Sequence, residues 1–341
     1  FLPYFCYSFF ALFFLKMIPD INSIQQEIPN AVSSLDLSGF TKIHSGKVRD
    51  TFEKNGKRII VTTDRQSAFD RVLTSVPFKG QVLNSTSVFW FEQTKDIVKN
   101  HLIDAPDPAV SIVHPAKVFP VEFIIRGYMT GSTSTSVWKN YEKGVRKYCG
   151  LDLPEGMKKN EPFADPLITP TTKPETGHDE LISAEEIIEQ NLMTQAEWDE
   201  VSDYAMRIFL RGQKMAAEKG LILVDTKFEF GRDTETGEIM LVDEVLTPDS
   251  SRYWLVESYE SRLAEGKEPE SFDKEFLRLW YADNCDPYAD ENLPDAPPEL
   301  VAKLSQKYMA AYEMITGKSF EPATGGAGRI QKNLDEYFAK G

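Results

Sequence analysis

Hydrophobic and polar residues alternate most clearly over residues 221–254, LILVDTKFEFGRDTETGEIMLVDEVLTPDSSRYW. Two runs rich in β-branched and aromatic residues flank a polar centre that holds Gly237, a pattern that predicts a β-hairpin. On the first run the alternation puts Asp225, Lys227 and Glu229 on one face and Thr226, Phe228 and Phe230 on the other. A loop at Glu235, Thr236 and Gly237, with Gly237 supplying a positive φ, sets Glu229 opposite Asp243. A slip of one residue sets it opposite Glu244 instead. Either register brings two carboxylates together, with Lys227 and Asp225 beside them. Like charges directly opposed destabilise a hairpin. A cation between them reverses that sign, and paired oxygen ligands suit Mg²⁺. A solvated charged face carries the same pattern, so this stretch alone leaves both readings open.

Elsewhere the pattern marks further elements. Residues 40–53 and 57–63 predict a β-hairpin turning at Asn55 and Gly56. Gly46 and Lys47 fall in a separate polar bend, where close backbone approach and a charge could cover phosphates. That bend is neither a Walker A loop nor a GxGxxG fingerprint. DRQSAFD, residues 64–70, follows the second strand as a strand end or helix cap. Residues 82–100 have helical spacing with Phe89, Trp90 and Ile97 inward. Residues 117–128 read as a strand bent at Pro120, with Glu122 and Arg126 on its polar face. RGYMTGSTSTS, residues 126–136, offers backbone amides, hydroxyls and an arginine, which suit a phosphate as well as they suit a surface loop. A Pro/Thr-rich loop over 167–183 ends in a capping box at Ser183 and Glu186. His178 lies in that loop, where a lone histidine near acids is more often structural than catalytic. Residues 184–218 read as helices stopped by Gly220, and 272–283 and 298–316 are further helices. TGGAGRI, residues 324–330, lies outside any strand–helix unit and reads as flexible tail.

Composition narrows the function. The 341 residues are 41% hydrophobic and 27% charged, as in a globular protein of two domains or one large one. A net charge of −15 argues against a general nucleic-acid binder. Local lysines and arginines can still hold a small anion. The 3 cysteines, Cys6, Cys149 and Cys285, have neither metal-ligand spacing nor a disulfide framework and fit a reducing compartment, the cytoplasm. Residues 1–16 are apolar but too short for an ordinary membrane span, and they lack a secretory cleavage pattern. They read as sequence upstream of a start at Met17, with a degenerate leader or apolar anchor as the alternative.

SGKVRDTFE, DRQSAFD, KGQVLNSTS, EFIIRGYMTGS, ITPTTK, GHDE, VDTKFEFG and VDEVLTPDSSRYW occur in that order. Together they resemble the SAICAR synthase family of purine-pathway ligases, in its longer, fungal-type form. The resemblance spans about Gly39 to Trp254. It implies an α+β fold of two lobes, the first β-rich, covering ATP and distantly like a protein kinase, the second larger and mixed, followed by C-terminal helices. The expected organisation is a leader over 1–16, a β-rich lobe over 17–120, a central lobe over 121–255, a helical part over 256–320 and a flexible tail over 321–341.

The resemblance implies ATP-dependent joining of the ribotide CAIR to L-aspartate through an acyl phosphate, giving SAICAR, ADP and phosphate. ATP and Mg²⁺ are the implied cofactors. The implied partners are small molecules, not nucleic acid or membrane, and a monomer is favoured over a homo-oligomer. Carried over by position, Glu229 with Asp243 or Glu244 looks like the metal site. Lys227 looks like the contact to the reacting carboxylate, with Asp225 as its orienting neighbour. Gly46 and Lys47 look like part of the ATP-covering hairpin, and Lys117 and Glu122 lie near adenine. Arg126, Ser132 and Arg252 resemble ribotide contacts, and Ser67 and Asp70 resemble substrate-side residues. Lys173, His178 and Asp179 stand as candidates for the aspartate site.

Overall fold

The computed structural model describes residues 18–69, 71–173, 179–272 and 275–340. These divide into two compact units. The first holds the described residues up to Phe89, with Leu102–His114 and those from Phe272 onward; the second holds Trp90–His101 and Pro115–Ser271.

The first unit is built on a five-stranded sheet. In chain order its strands are β1 (Thr41–Ser45), β2 (Arg49–Lys54) and β3 (Lys57–Thr62), then, after the separate hairpin of β4 (Arg65–Ala68) and β5 (Arg71–Ser75), β6 (Leu102–Asp107) and β7 (Val110–Val113). They lie side by side as β1-β2-β3-β7-β6. Asn55 and Gly56 make the β2–β3 turn with φ of 52° and 71°, the successive positive values that a two-residue hairpin turn needs. Phe52, Ile59, Val61, Val110 and Ile112 pack beneath the sheet with Val32, Leu35 and Leu37. A second core joins Ile24, Val82, Leu277, Tyr281, Leu304 and Met309 from the helices Ile21–Glu27, Lys79–Thr94, Glu275–Asn284 and Pro298–Thr316.

Residues 321–341, expected as a flexible tail, instead hold the helix Gly326–Ala339. Ile330, Leu334, Tyr337 and Phe338 recur at helical spacing, and the first two are fully buried in the core of the β1–β7 sheet. Arg329 ion-pairs with the buried Asp107 at 2.8 Å, and Asn333 Nδ2 donates to the same carboxylate at 2.7 Å. The glycines that suggested a loop start this helix, with Gly325 at a φ of 96°.

The second unit centres on one long strand, β14 (Leu221–Asp233). Its neighbours are β8 (Ala116–Val118), β9 (Val121–Tyr128), β12 (Pro162–Ile168), β13 (Thr171–Thr172), β15 (Ile239–Val242) and β16 (Ser251–Leu255); the small pair β10 (Lys147–Tyr148) and β11 (Leu151–Asp152) stands apart. One edge of β14 pairs with β9 and β8, which Pro120 separates, and the other with β16 and β15. The helix Gln195–Ala217, begun by a capping box of Thr194 and Glu197, buries Val201, Ala205, Ile208 and Phe209. A Cβ on its Gly212 would lie 2.8 Å from Leu223 and Leu246, so glycine permits the close approach. The predicted helix over 82–100 ends at Thr94, because Lys99 and His101 exchange backbone hydrogen bonds with Leu241.

The central hairpin exists, but its register differs from both expected ones. Glu229 pairs with Val242. Asp233 accepts hydrogen bonds from the amides of Glu235 and Thr236 at 2.8 and 2.9 Å, an Asx turn that draws Thr234 into the loop. Asp243 then leaves the ladder at a φ of 65°. No helix of the described residues is long and apolar enough to cross a membrane.

Candidate functional site

Two rows of charge cross the same face of β14. In the first, Lys227 Nζ lies 2.6 Å from Glu122 Oε1 on β9 and 3.0 Å from Glu229 Oε1. Lys173 pairs with the other oxygen of Glu229. Thr171 donates to Glu122 Oε2 at 3.3 Å. Glu122 and Glu229 are each only 5% exposed, so the lysines neutralise carboxylates that water does not reach freely. Burial works against the ammonium of Lys227, but the charges of Glu229, Glu122 and Asp243 outweigh it and hold its pKa above the ordinary lysine range. For Glu122 burial wins: its pKa is raised despite Lys227, with Asp179 and Glu229 adding repulsion.

Asp243 therefore acts on this row through its charge on Lys227. The neighbouring Glu244 is turned to the following bend, where it accepts a 2.5 Å hydrogen bond from Thr247 Oγ1. Among the described residues no three His, Cys, Asp or Glu side chains form a group able to hold a metal. The donor chemistry still fits Mg²⁺, which is commonly held by one or two carboxylates plus substrate phosphates.

In the second row Asp225 stands in register between Arg126 of β9 and Arg252 of β16. Arg252 donates from Nε to Asp225 Oδ1 at 3.0 Å and pairs through Nη2 with Oδ2 at 2.8 Å. Arg126 Nη1 lies 3.7 Å from the same Oδ2, and its Nε donates to Thr169 Oγ1 at 2.8 Å. Asp225, expected to orient Lys227, holds the arginines instead; its parity matched Lys227, but the nearest cations are the cross-strand neighbours. Gly131 borders this row, since a Cβ there would lie 3.3 Å from Arg252 Nη2, and Ser132 follows it in an exposed position.

Other expected residues fall elsewhere. Lys117 is exposed on β8, in register with Arg232 of β14. Glu122, expected near adenine, turns its carboxylate to Lys227. Lys173 is drawn into the first row, and Asp179 is exposed. Asp70 and His178 lie outside the described residues. In the first unit, Ser67 is half-buried on β4. The bend of Gly46 and Lys47 joins β1 to β2, and Arg65 donates to the carbonyls of both, at 3.0 and 3.1 Å, while pairing with the buried Asp50 at 2.7 Å. Sequence reasoning missed this role of Arg65, although it stands inside the DRQSAFD motif. It also missed the Glu122–Lys227 pair, for which the shared parity of Glu122 and Arg126 was the available signal.

A family model described as SAICAR synthetase matches residues 42–294. A Legionella pneumophila (strain Lens) phosphoribosylaminoimidazole-succinocarboxamide synthase is 60% identical over 281 residues, covering 82% of this chain and 89% of that protein. A chloroplastic phosphoribosylaminoimidazole-succinocarboxamide synthase of Arabidopsis thaliana is 50% identical, covering 88% of this chain and 74% of the relative. Among solved structures, the SAICAR synthase of Saccharomyces cerevisiae complexed with SAICAR aligns with a TM-score of 0.74 at 37% identity, covering 85% of this chain and 100% of that one.

Proposed function

This chain belongs to the SAICAR synthetase family, and on that premise we propose that it joins CAIR to L-aspartate at the expense of ATP, giving SAICAR, ADP and phosphate in purine biosynthesis. The observation that carries the reading is the pair of rows on β14. Arg126 and Arg252 offer guanidinium forks to an anion, and Lys227 stands two residues along the same face from Asp225. A strand advances about 7 Å over two residues, so one molecule with a phosphate at one end and a carboxylate at the other can meet both rows.

In the proposed sequence a CAIR carboxylate oxygen attacks the γ-phosphorus of ATP and ADP leaves. The aspartate amine then attacks the acyl carbon, phosphate leaves with the acyl-phosphate oxygen, and the amine gives up a proton. Such chemistry depends on charge neutralisation and alignment. Lys227 holds the reacting carboxylate and stays protonated because acids surround it. Gly46 and Lys47 cover phosphates with a bend braced by Arg65, and Lys117 lies toward the nucleotide. Arg126, Ser132 and Arg252 hold the ribotide, with Ser67 and Asp70 on the substrate side and Lys173, His178 and Asp179 toward aspartate. Glu229 and Asp243, whose charges both act on Lys227, are the acids that would hold Mg²⁺. When bound, that ion would neutralise charge on the transferring phosphoryl group.

The protein works on these small molecules, not on nucleic acid or at a membrane, as a monomer in the cytoplasm. Light scattering and cell fractionation check the last two points; the relative from Arabidopsis thaliana is named as chloroplastic. ADP release with CAIR and ATP, leaving out aspartate or CAIR in turn, tests the activity. Full ADP release without aspartate, with a stable phosphorylated product, identifies a small-molecule kinase and overturns the ligase reading.

A further inference from the structure

The geometry points to Asp225 as the positioning residue of the anion site, acting through Arg252 and Arg126; this inference rests on the ligase reading above. The three residues form one cross-strand row, Arg126–Asp225–Arg252, fixed by the registers of β9 and β16 on β14. Two guanidiniums flanking one strand position repel each other, and the single carboxylate between them offsets that repulsion before any ligand arrives. Asp225 is 5% exposed, and the two arginines face it as ion-pair partners.

Asp225 holds Arg252 along one edge of the guanidinium: its Oδ1 accepts a hydrogen bond from Nε, and its Oδ2 lies 2.8 Å from Nη2 as an ion pair without a hydrogen bond. A guanidinium carries five N–H donors in a flat fork, so clamping this edge leaves the Nη1 side for a second, bidentate anion. The half-buried Arg252 keeps that side within reach of a ligand. Arg126 is braced on other sides as well, by Thr169 Oγ1 and by the Thr135 carbonyl, which also accepts a 2.5 Å hydrogen bond from Tyr148. Gly131 has a φ of 113° and leaves no room for a side chain against Arg252 and Ser136. Every element of the row thus limits rotation of a guanidinium, and Asp225 is the member common to both.

Removing the negative charge has two opposed consequences. On charge alone, Asp225→Asn would tighten binding of an anion. On alignment it weakens binding of a ligand that must be gripped in one orientation. The positioning role predicts that alignment wins. By calorimetry without ATP, Asp225→Asn should bind CAIR about 10- to 100-fold more weakly, the usual range for a lost charge-assisted hydrogen bond. The KM for ATP should stay within about twofold, as expected of a site the nucleotide does not touch. In an Arg252→Ala background the same change should have little further effect, because Asp225 acts through that arginine. If Asp225→Asn does not fold, Asp225→Glu, which keeps the charge but displaces it, supports the same comparison. Tighter or unchanged CAIR binding, a parallel rise in the KM for ATP, or effects that multiply with Arg252→Ala each overturn the inference. A wild-type protein that binds CAIR but never consumes aspartate overturns the ligase reading and leaves the role of Asp225 standing.

Discussion

Lys227 and Glu122 meet at 2.6 Å across two paired strands, 105 residues apart in the chain. Each explains the other. An ammonium at this position of β14 is tolerated because Glu122 and Glu229 both face it, and those two carboxylates share one face because Lys227 lies between them. The proposed grip on the reacting carboxylate uses a charge that folding has already fixed in place.

Lys227→Met should therefore damage both fold and turnover. Among the described residues it leaves the buried Glu122 and Glu229 with Thr171 and Lys173 for partners. A stability loss of about 1–3 kcal/mol is expected for unsatisfied buried groups, measured by urea denaturation. ADP release should fall by about 100- to 1,000-fold, as for other lost electrostatic contacts to a reacting centre. Adding Glu122→Gln to Lys227→Met should recover part of the stability and none of the turnover. Recovery of both would place Lys227 outside the chemistry.

Asp64 gives a pH prediction. Burial raises its pKa to about 6, against hydrogen bonds from the amides of Val32 and Gly80 and the charges of Lys79 and Arg329. In the unfolded chain the group titrates near 3.8. Between those values the folded protein holds the extra proton, so stability falls as pH rises through that window. The contribution is fully present below about pH 4, lost above about pH 6, and worth about 3 kcal/mol at 1.36 kcal/mol per pKa unit. Asp64→Asn removes the titration. The stability difference between wild type and variant should shift against the wild type from pH 4 to pH 7 by about that amount. Parallel pH profiles would show that Asp64 titrates normally.

The C-terminal helix supplies a third test. Deleting residues 326–340 removes Ile330 and Leu334 from the core they share with Phe52, Ile59 and Val61, and takes Arg329 and Asn333 away from Asp107. Breaking a buried ion pair alone costs about 3–5 kcal/mol, so Arg329→Ala should already lower the melting temperature by several degrees, and the deletion by more. A deletion variant as stable as the full chain would restore the reading of a free tail.

What the sequence revealed follows the range of the interactions. Side-chain parity on β14 was legible because a strand alternates with a period of two, and the capping box of Ser183 and Glu186 because it is local. The hairpin register was not, since it turns on whether Asp233 caps the loop. The partner of Asp225 was hidden as well: its cations come from β9 and β16, and no spacing within β14 reports them. The helix Gly326–Ala339 was missed because two glycines at its start outweighed a short apolar stripe. Glu122 could be placed on a polar face but not beside Lys227, because that contact needs the β9–β14 pairing first.

The acids after β15 separate two roles that adjacent residues could not reveal. Asp243 has a φ of 65° and a charge that acts on Lys227, whereas Glu244 accepts from Thr247. Asparagine tolerates the left-handed backbone region about as well as aspartate does, so Asp243→Asn keeps the chain path and removes only the charge. If Asp243 and Glu229 hold Mg²⁺, Asp243→Asn and Glu229→Gln should each lower ADP release by about 100- to 1,000-fold. Each should also abolish the rise in melting temperature that Mg²⁺–ADP gives the wild type. Glu244→Gln keeps an acceptor for Thr247 Oγ1, so its metal-dependent shift should survive, with a stability change below about 1 kcal/mol. Turnover lost in Glu244→Gln and kept in Asp243→Asn would reverse the assignment. Loss in neither would leave both acids after β15 outside the metal site.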